Sequence, residues 1–186
     1  VPSVVHGMLR SVSHNVSRKN TDLGFFEVAR AYSTPEASGR HQEVPVVAIG
    51  VTGLIRDNWK EGRRQAGFFD LKGVVEEALD AFGIHAEIAR EDMDSFSVSA
   101  SITLPGGERI GSMGEVDSRV LEEYDIHQNV FIAQIRLDSV FRAASDGKKV
   151  RPLPRFPFSV RDMSVLCDKD TSCGQILSAI REAGGD

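Results

Sequence analysis

The chain has 186 residues, a net charge of −5, a hydrophobic fraction of 41% and a charged fraction of 26%. That length holds one full core, or one core and part of a second, and the composition excludes wholesale disorder. No apolar run approaches the roughly 20 residues of a membrane span, the opening Val1–His6 lacks a signal peptide's basic start and cleavage site, and the acidic balance argues against a surface devoted wholly to nucleic acid; a soluble cytoplasmic protein is expected.

In chain order, Val5, Met8, Leu9, Val12 and Val16 recur at helical spacing and predict an amphipathic helix from Pro2 to Lys19. Asn20-Thr21-Asp22 breaks it, and Phe26, Val28 and Ala31 predict a strand over Leu23 to Tyr32. Ser33 to Glu43 is rich in turn formers and reads as a surface loop. Val44 to Leu54 is a nearly continuous, valine-rich apolar run, expected to be a strand buried on both faces. A polar stretch with the only tryptophan, Trp59, runs from Arg56 to Gly67.

The clearest helix follows, with Leu71, Val74, Val75, Ala78, Leu79 and Phe82 on one face and Gly83 as its stop. Strands are predicted over Ala86 to Arg90 and Phe96 to Leu104. Pro105-Gly106-Gly107 turns the latter into a hairpin with Arg109 to Val116. Asp117 or Ser118 caps a short helix carrying Val120, Leu121 and Tyr124, and Val130 to Leu137 reads as another strand. Asp138 is expected to cap a second short helix through Phe141. Ala144 to Phe158, with its prolines and basic residues, has linker composition. Beyond it, Val160 to Asp168 reads as a strand, and Thr171 as the cap of a helix with Ile176, Leu177 and Ile180 on one face. One strand and one helix cannot build a core, so the chain reads as cut inside a second domain.

Chemistry-bearing patterns are sparse. Cys167 and Cys173 stand in a C-x5-C spacing that fits neither the usual zinc pairs nor a redox C-x-x-C, and His6, His14, His41, His85 and His127 are scattered, so no metal site is expected. Asp92 and Asp94 read as loop carboxylates rather than an acid–base pair. Pro105-Gly106-Gly107 lacks the lysine and following helix of a phosphate loop, and no G-x-S-x-G elbow is present. Basic residues gather twice: Lys148, Lys149, Arg151, Arg155 and Arg161 in and after the linker, and Arg56, Lys60, Arg63 and Arg64 around Trp59. Trp59 itself reads as a packing or subunit-contact residue sooner than a base-stacking platform.

Four stretches in order carry a resemblance. Met8-Leu9-Arg10 through Asn15, Arg18, Asn20 and Phe26-Glu27-Val28-Ala29-Arg30-Ala31-Tyr32 is similar to a helix and "FEIGRVF" strand of the bacterial phenylalanyl-tRNA synthetase beta subunit. Phe68-Phe69-Asp70-Leu71-Lys72-Gly73 resembles its "FFDLKG" helix start, and Gly111-Ser112-Met113-Gly114-Glu115-Val116 its "IGxLGE" strand. Arg155-Phe156-Pro157 with Arg161-Asp162-Met163-Ser164 resembles the "RFPxxxRDL" approach to its anticodon-binding domain. The chain departs from the family at Asp94 to Ala100, where members carry an "HPGRSA"-like stretch, and at Asp117-Ser118, where they read "HP".

The resemblance implies an α+β fold, an antiparallel sheet flanked by helices of the class II aminoacyl-tRNA synthetase type, in a carboxy-terminal fragment. Residues 1–146 are then part of an inactive catalytic-like module and 147–158 a linker. Residues 159–186 are the first strand and helix of a ferredoxin-like anticodon-binding domain. It also implies a catalytically inactive chain. A class II adenylation site needs an arginine after a position matched by Tyr32, where Ser33-Thr34-Pro35 follow, and a glycine-rich strand ending in arginine. Ile135 and Leu137 stand where glycines are needed, with Arg136 and Arg142 flanking. No catalytic, cofactor-binding or metal residue is therefore expected here; ATP and magnesium belong to the complete synthetase. The implied partners are the alpha subunit and, through the complete enzyme, tRNA-Phe, for which Lys148, Lys149, Arg151, Arg155 and Arg161 are the candidate contacts. Apolar surface left uncovered is expected to drive self-association. Two rival readings are a stand-alone class II-like paralogue that binds a small ligand or RNA, and an active ligase with unusual ATP contacts.

Overall fold

The computed structural model describes residues 4–32, 43–60, 62–144, 160 and 162–184. The chain divides into two units, Val1–Lys148 and Lys149–Asp186. In the first, a six-stranded antiparallel sheet has the order β1 (Leu23–Tyr32), β2 (Glu43–Thr52), β8 (Val130–Arg136), β7 (Arg109–Val116), β6 (Phe96–Thr103), β5 (Glu87–Arg90). A separate hairpin is made of β3 (Leu54–Asn58) and β4 (Gly62–Gln65).

Strand alternation sends neighbouring side chains to opposite faces, and each face has its own core. On one, Ile49, Ala133, Met113 and Ala100 form a paired row that packs under α2 (Phe68–Asp80) and α4 (Leu137–Ala143), with Ile135, Ile102 and Ile110 beside it. On the other, Ala48, Ile132 and Val130 meet Val5, Met8, Leu9 and Val12 of α1 (Val5–Val16). Leu121 of α3 (Ser118–Glu122) joins that second core. The central run of β2 is buried on both faces because a helix covers each side of it.

Several expectations shift by a residue or a face. The opening helix spans Val5–Val16, shorter than Pro2 to Lys19 at both ends, and the chain leaves it through Lys19 at φ 66°. Helix α2 buries a narrower stripe than its composition suggests: Leu71, Val75 and Leu79 are enclosed, whereas Val74, Ala78 and Phe82 are exposed. Asp138 lies inside the first turn of α4, after Arg136 at the cap position, because its carboxylate is held by that arginine. In α3, Asp117 is the cap and accepts from the Arg119 backbone N–H.

The start of α2 shows how one carboxylate can set a helix boundary. Asp70 accepts the Gly67 backbone N–H at 2.9 Å and takes both Arg64 guanidinium nitrogens at 2.7 Å. The Arg64 hydrogen bond, ahead of the Gly67 N–H, holds the Asp70 carboxyl below its ordinary value of 3.8. A depressed folded pKa stabilises the fold above the unfolded value, and that contribution is lost as pH falls through the folded one. Asp70→Asn is therefore expected to cost about 1 kcal/mol at neutral pH, the usual value of a cap. The same change should flatten the acid limb of stability below about pH 4. Urea midpoints measured from pH 7 to 3 check both; parallel acid limbs for the two proteins would refute the assignment.

The second unit is described by itself. Helix α5 (Cys173–Gly184) starts at a reciprocal cap: Gln175 N–H donates to Ser172 Oγ at 3.2 Å and Ser172 N–H to Gln175 Oε1 at 2.8 Å. Ser172 thus holds the place expected of Thr171. Residues 162–168 form no strand, contrary to the reading of Val160 to Asp168. A strand needs a ladder partner, and no other strand occurs among the described residues of this unit. Met163 and Val165 line an apolar groove of about 600 Å³ with Ile176, Ala179 and Ile180. The expected linker, residues 147–158, lies outside the described residues.

Candidate functional site

The α1-bearing side of the sheet carries polar residues on either side of Ala48. The register runs Glu27 to Ala48, Ala48 to Gln134, Gln134 to Ser112 and Ser112 to Ser101, so one line crosses β1, β2, β8, β7 and β6. Same-face neighbours across strands are close enough to bond, and Gln134 Nε2 donates to Ser112 Oγ at 3.2 Å. Ser112 is buried, Gln134 and Ser101 are half-buried, and Glu27 is exposed. Two residues further along β8 the same face presents Arg136, in line with Val46 of β2 and Ala29 of β1.

At that end of the sheet, among the described residues, two arginines are paired with carboxylates. Arg136 donates to both Asp138 oxygens at 3.3 and 2.9 Å, and that hydrogen bond raises the guanidinium pKa and lowers the carboxyl's. Arg142 donates to Glu108 at 2.7 Å and lies 3.5 Å from Asp138. The fully buried Ser139 donates its hydroxyl to the same Glu108 oxygen at 2.7 Å. Two guanidiniums thus face two carboxylates. A phosphate placed there meets no surplus positive charge from these two arginines, and binding it would require breaking a charge-assisted pair.

The residues singled out from sequence fall as follows. Tyr32 ends β1, half-exposed, and Ser33, Thr34 and Pro35 lie outside the described residues. Ile135 turns into the α2-side core at 2% exposure, while its neighbours Gln134 and Arg136 face the open side. Any backbone approach from that side would therefore be governed by Gln134 and Arg136, one register step from Ile135 and Leu137. Lys148, Lys149, Arg151, Arg155 and Arg161 all lie outside the described residues. Around Trp59, Arg64 holds Asp70, and Arg63 Nε lies 3.3 Å from Asp57. Asp92 and Asp94 are exposed, Asp92 at 3.8 Å from Arg90.

Pro105-Gly106-Gly107 is the β6–β7 turn, closed by the Gly107 N–H on Leu104 O at 2.8 Å, with Gly107 at φ +84°. Both cysteines are free and exposed. No group of three His, Cys, Asp or Glu able to hold a metal occurs among the described residues, and none of the helices there is long and apolar enough to cross a membrane. Glu108 and Ser139 were invisible to sequence reading: 31 positions separate them, and only the packing of α4 against the β6–β7 turn brings them together.

This antiparallel sheet, with α2 and α4 on one face and α1 with a row of polar residues on the other, has the class II aminoacyl-tRNA synthetase fold. Pyrrolysyl-tRNA synthetase from Desulfitobacterium hafniense superposes with a TM-score of 0.57 over 75% of this chain and 48% of its own, at 14% identity, a likeness of fold. Residues 2–137 match the family model described as the phenylalanyl tRNA synthetase beta chain CLM domain, and the chain belongs to that family. Phenylalanine–tRNA ligase beta subunits are among its relatives: that of Symbiobacterium thermophilum is 32% identical over 96% of this chain. That of Listeria innocua is 31% identical over 99%. The chain spans only 20% and 23% of the lengths of these two relatives.

Proposed function

We propose that the chain is a non-catalytic structural part of a phenylalanine–tRNA ligase beta subunit, supporting the alpha subunit that joins phenylalanine to tRNA-Phe with ATP. The observation that carries this is the pairing of Arg136 and Arg142 with carboxylates at one end of the sheet. Adenylation requires oriented cations where charge develops on the phosphates, and loss of one such group typically lowers the rate by about two to three orders of magnitude. Here Arg136 and Arg142, which flank the positions where the resemblance needs glycines, are tied to Asp138 and Glu108.

A supporting role fits the edge of the sheet. Among the described residues, strand β1 pairs with β2 on one side only, and alternate positions on one face carry Phe26 and Val28, 73% and 61% exposed, and Tyr32. An uncovered ladder edge beside exposed apolar side chains is a docking surface for more protein, and a self-association hazard without it. On the same reading the fragment is carboxy-terminal in the subunit, residues 147–158 link two domains, and residues 159–186 open a ferredoxin-like anticodon-binding domain. The basic residues in and just after the linker, Lys148, Lys149, Arg151, Arg155 and Arg161, then approach the tRNA backbone, in a cytoplasmic enzyme that uses ATP and magnesium elsewhere.

The test is twofold. The isolated chain is expected to show no phenylalanine-dependent pyrophosphate exchange above background. The complete subunit containing it should co-elute in fixed stoichiometry with the alpha subunit of the same genome and restore tRNA charging. Exchange by the isolated chain, or absence of a complex at micromolar concentration, overturns the proposal.

A further inference from the structure

The β3–β4 hairpin is built unlike the rest of the first unit. None of the described side chains from Ile55 to Gln65 is buried, so apolar packing does not hold it in place. A two-stranded hairpin is marginal on its own in water. Here it is clamped at its base by polar ties: Leu54 N–H to Asp22 Oδ1 at 2.8 Å, Ala66 N–H to Gly53 O at 2.8 Å, and the two-pronged Arg64–Asp70 pair. Gly53 turns into it at φ +75° and Gly62 leaves its tip at φ +74°. What these ties hold out is Trp59, 96% exposed between the strands.

We propose that Trp59 is an anchor that inserts into an apolar, indole-sized pocket of a partner protein subunit, an inference that rests on the multi-subunit reading above. Charge decides between protein and nucleic acid. Of the arginines that could make the hairpin a phosphate-binding arm, Arg63 pairs with Asp57 and Arg64 with Asp70, and the Arg56 charge also acts on Asp70. The hairpin therefore offers an exposed aromatic beside Lys60, with Arg63 and Arg64 each held by a carboxylate, closer to the make-up of a protein hot spot than to that of a backbone-binding arm. The pocket should supply an acceptor for the indole Nε1–H, the one polar group of the side chain.

The complete gene product, purified with the alpha subunit of the same genome, allows the test. Hydroxyl-radical footprinting read at the Trp59 peptide should show strong protection in the complex relative to the free subunit. Trp59→Ala should weaken assembly about thirtyfold, the scale of an interface hot spot. Trp59→Phe should recover part of that, and the unfolding midpoint of the free subunit should stay unchanged. Assembly of Trp59→Ala with wild-type affinity, or full oxidation of Trp59 inside the complex, overturns the anchor and leaves the subunit reading standing. Protection by tRNA-Phe alone overturns it in favour of base stacking. If the wild-type proteins fail to assemble, the subunit reading falls and the anchor with it.

Discussion

Replacing Gly111 with alanine is expected to destabilise the first unit by about 3 kcal/mol, the upper range of overpacking. Gly111 lies in β7 between Ile135 of β8 and Ile102 of β6. A methyl group there would stand 2.3 Å from the Gln134 carbonyl oxygen and 3.2 Å from the Ile135 Cα. Both are backbone atoms of β8, which is paired with β2 on one side and β7 on the other, and cannot rotate aside as a side-chain tip can. Relief requires β7 and β8 to part at the centre of the sheet, under the core of α2. In urea this corresponds to a midpoint lowered by about 1.5 M for a slope near 2 kcal/mol/M. Gly106→Ala is the control, since its methyl would meet nothing within 4 Å; a change within about 0.5 kcal/mol is expected there. Equal midpoints for the two variants would falsify the close approach.

Leu71→Ala is expected to cost about 3 kcal/mol, within the usual range for a fully enclosed leucine. Leu71 is 0% exposed on the inward stripe of α2 and packs in the cluster that contains Ile102, Ile110 and Met113. Helix α2 lies against β2, β7 and β8, so a cavity at Leu71 has sheet on one side and helix on the other and cannot collapse freely. Val74, three positions on, is 42% exposed, and Val74→Ala should cost under about 1 kcal/mol. Denaturation of the pair reads out the orientation of α2. If Val74→Ala proves as damaging as Leu71→Ala, the helix sits rotated from the arrangement described.

The candidate site was legible in part. The family resemblance pointed to the stretch around Ile135 and Leu137 as the place where a glycine-rich strand would hold phosphates. It could not say which side chains look at the open face. Ile135 and Gln134 are adjacent in sequence, yet one enters the core beneath α2 and the other bonds Ser112 on the opposite side. Parity along β8 decides that, and parity is set by the register with β2 and β7. Glu108 and Ser139 carried no local signal at all, because a polar residue beside a turn and one in a short helix are unremarkable until packing joins them.

Local pattern alone settled the elements whose signal is short-ranged. The spacing of Met8, Leu9 and Val12, the valine-rich run of β2, the Pro105-Gly106-Gly107 turn and the stop at Gly83 all follow from periodicity and backbone preference, and the structure has them, except that the valine-rich strand ends at Thr52 and Leu54 opens β3. Three features were decided by tertiary structure. The β3–β4 hairpin has no apolar alternation to announce it and stands only because Asp22, Asp70 and Gly53 lie at its base. Residues 162–168 form no strand, since a strand is a property of a pair and their unit holds no other strand among the described residues. The balance of Arg136 and Arg142 against Asp138 and Glu108 depends on distances between residues up to 34 positions apart. Hydrophobic period and turn chemistry act within a few residues and can be read along the chain. Pairing, face and charge compensation are set by neighbours that only the fold supplies.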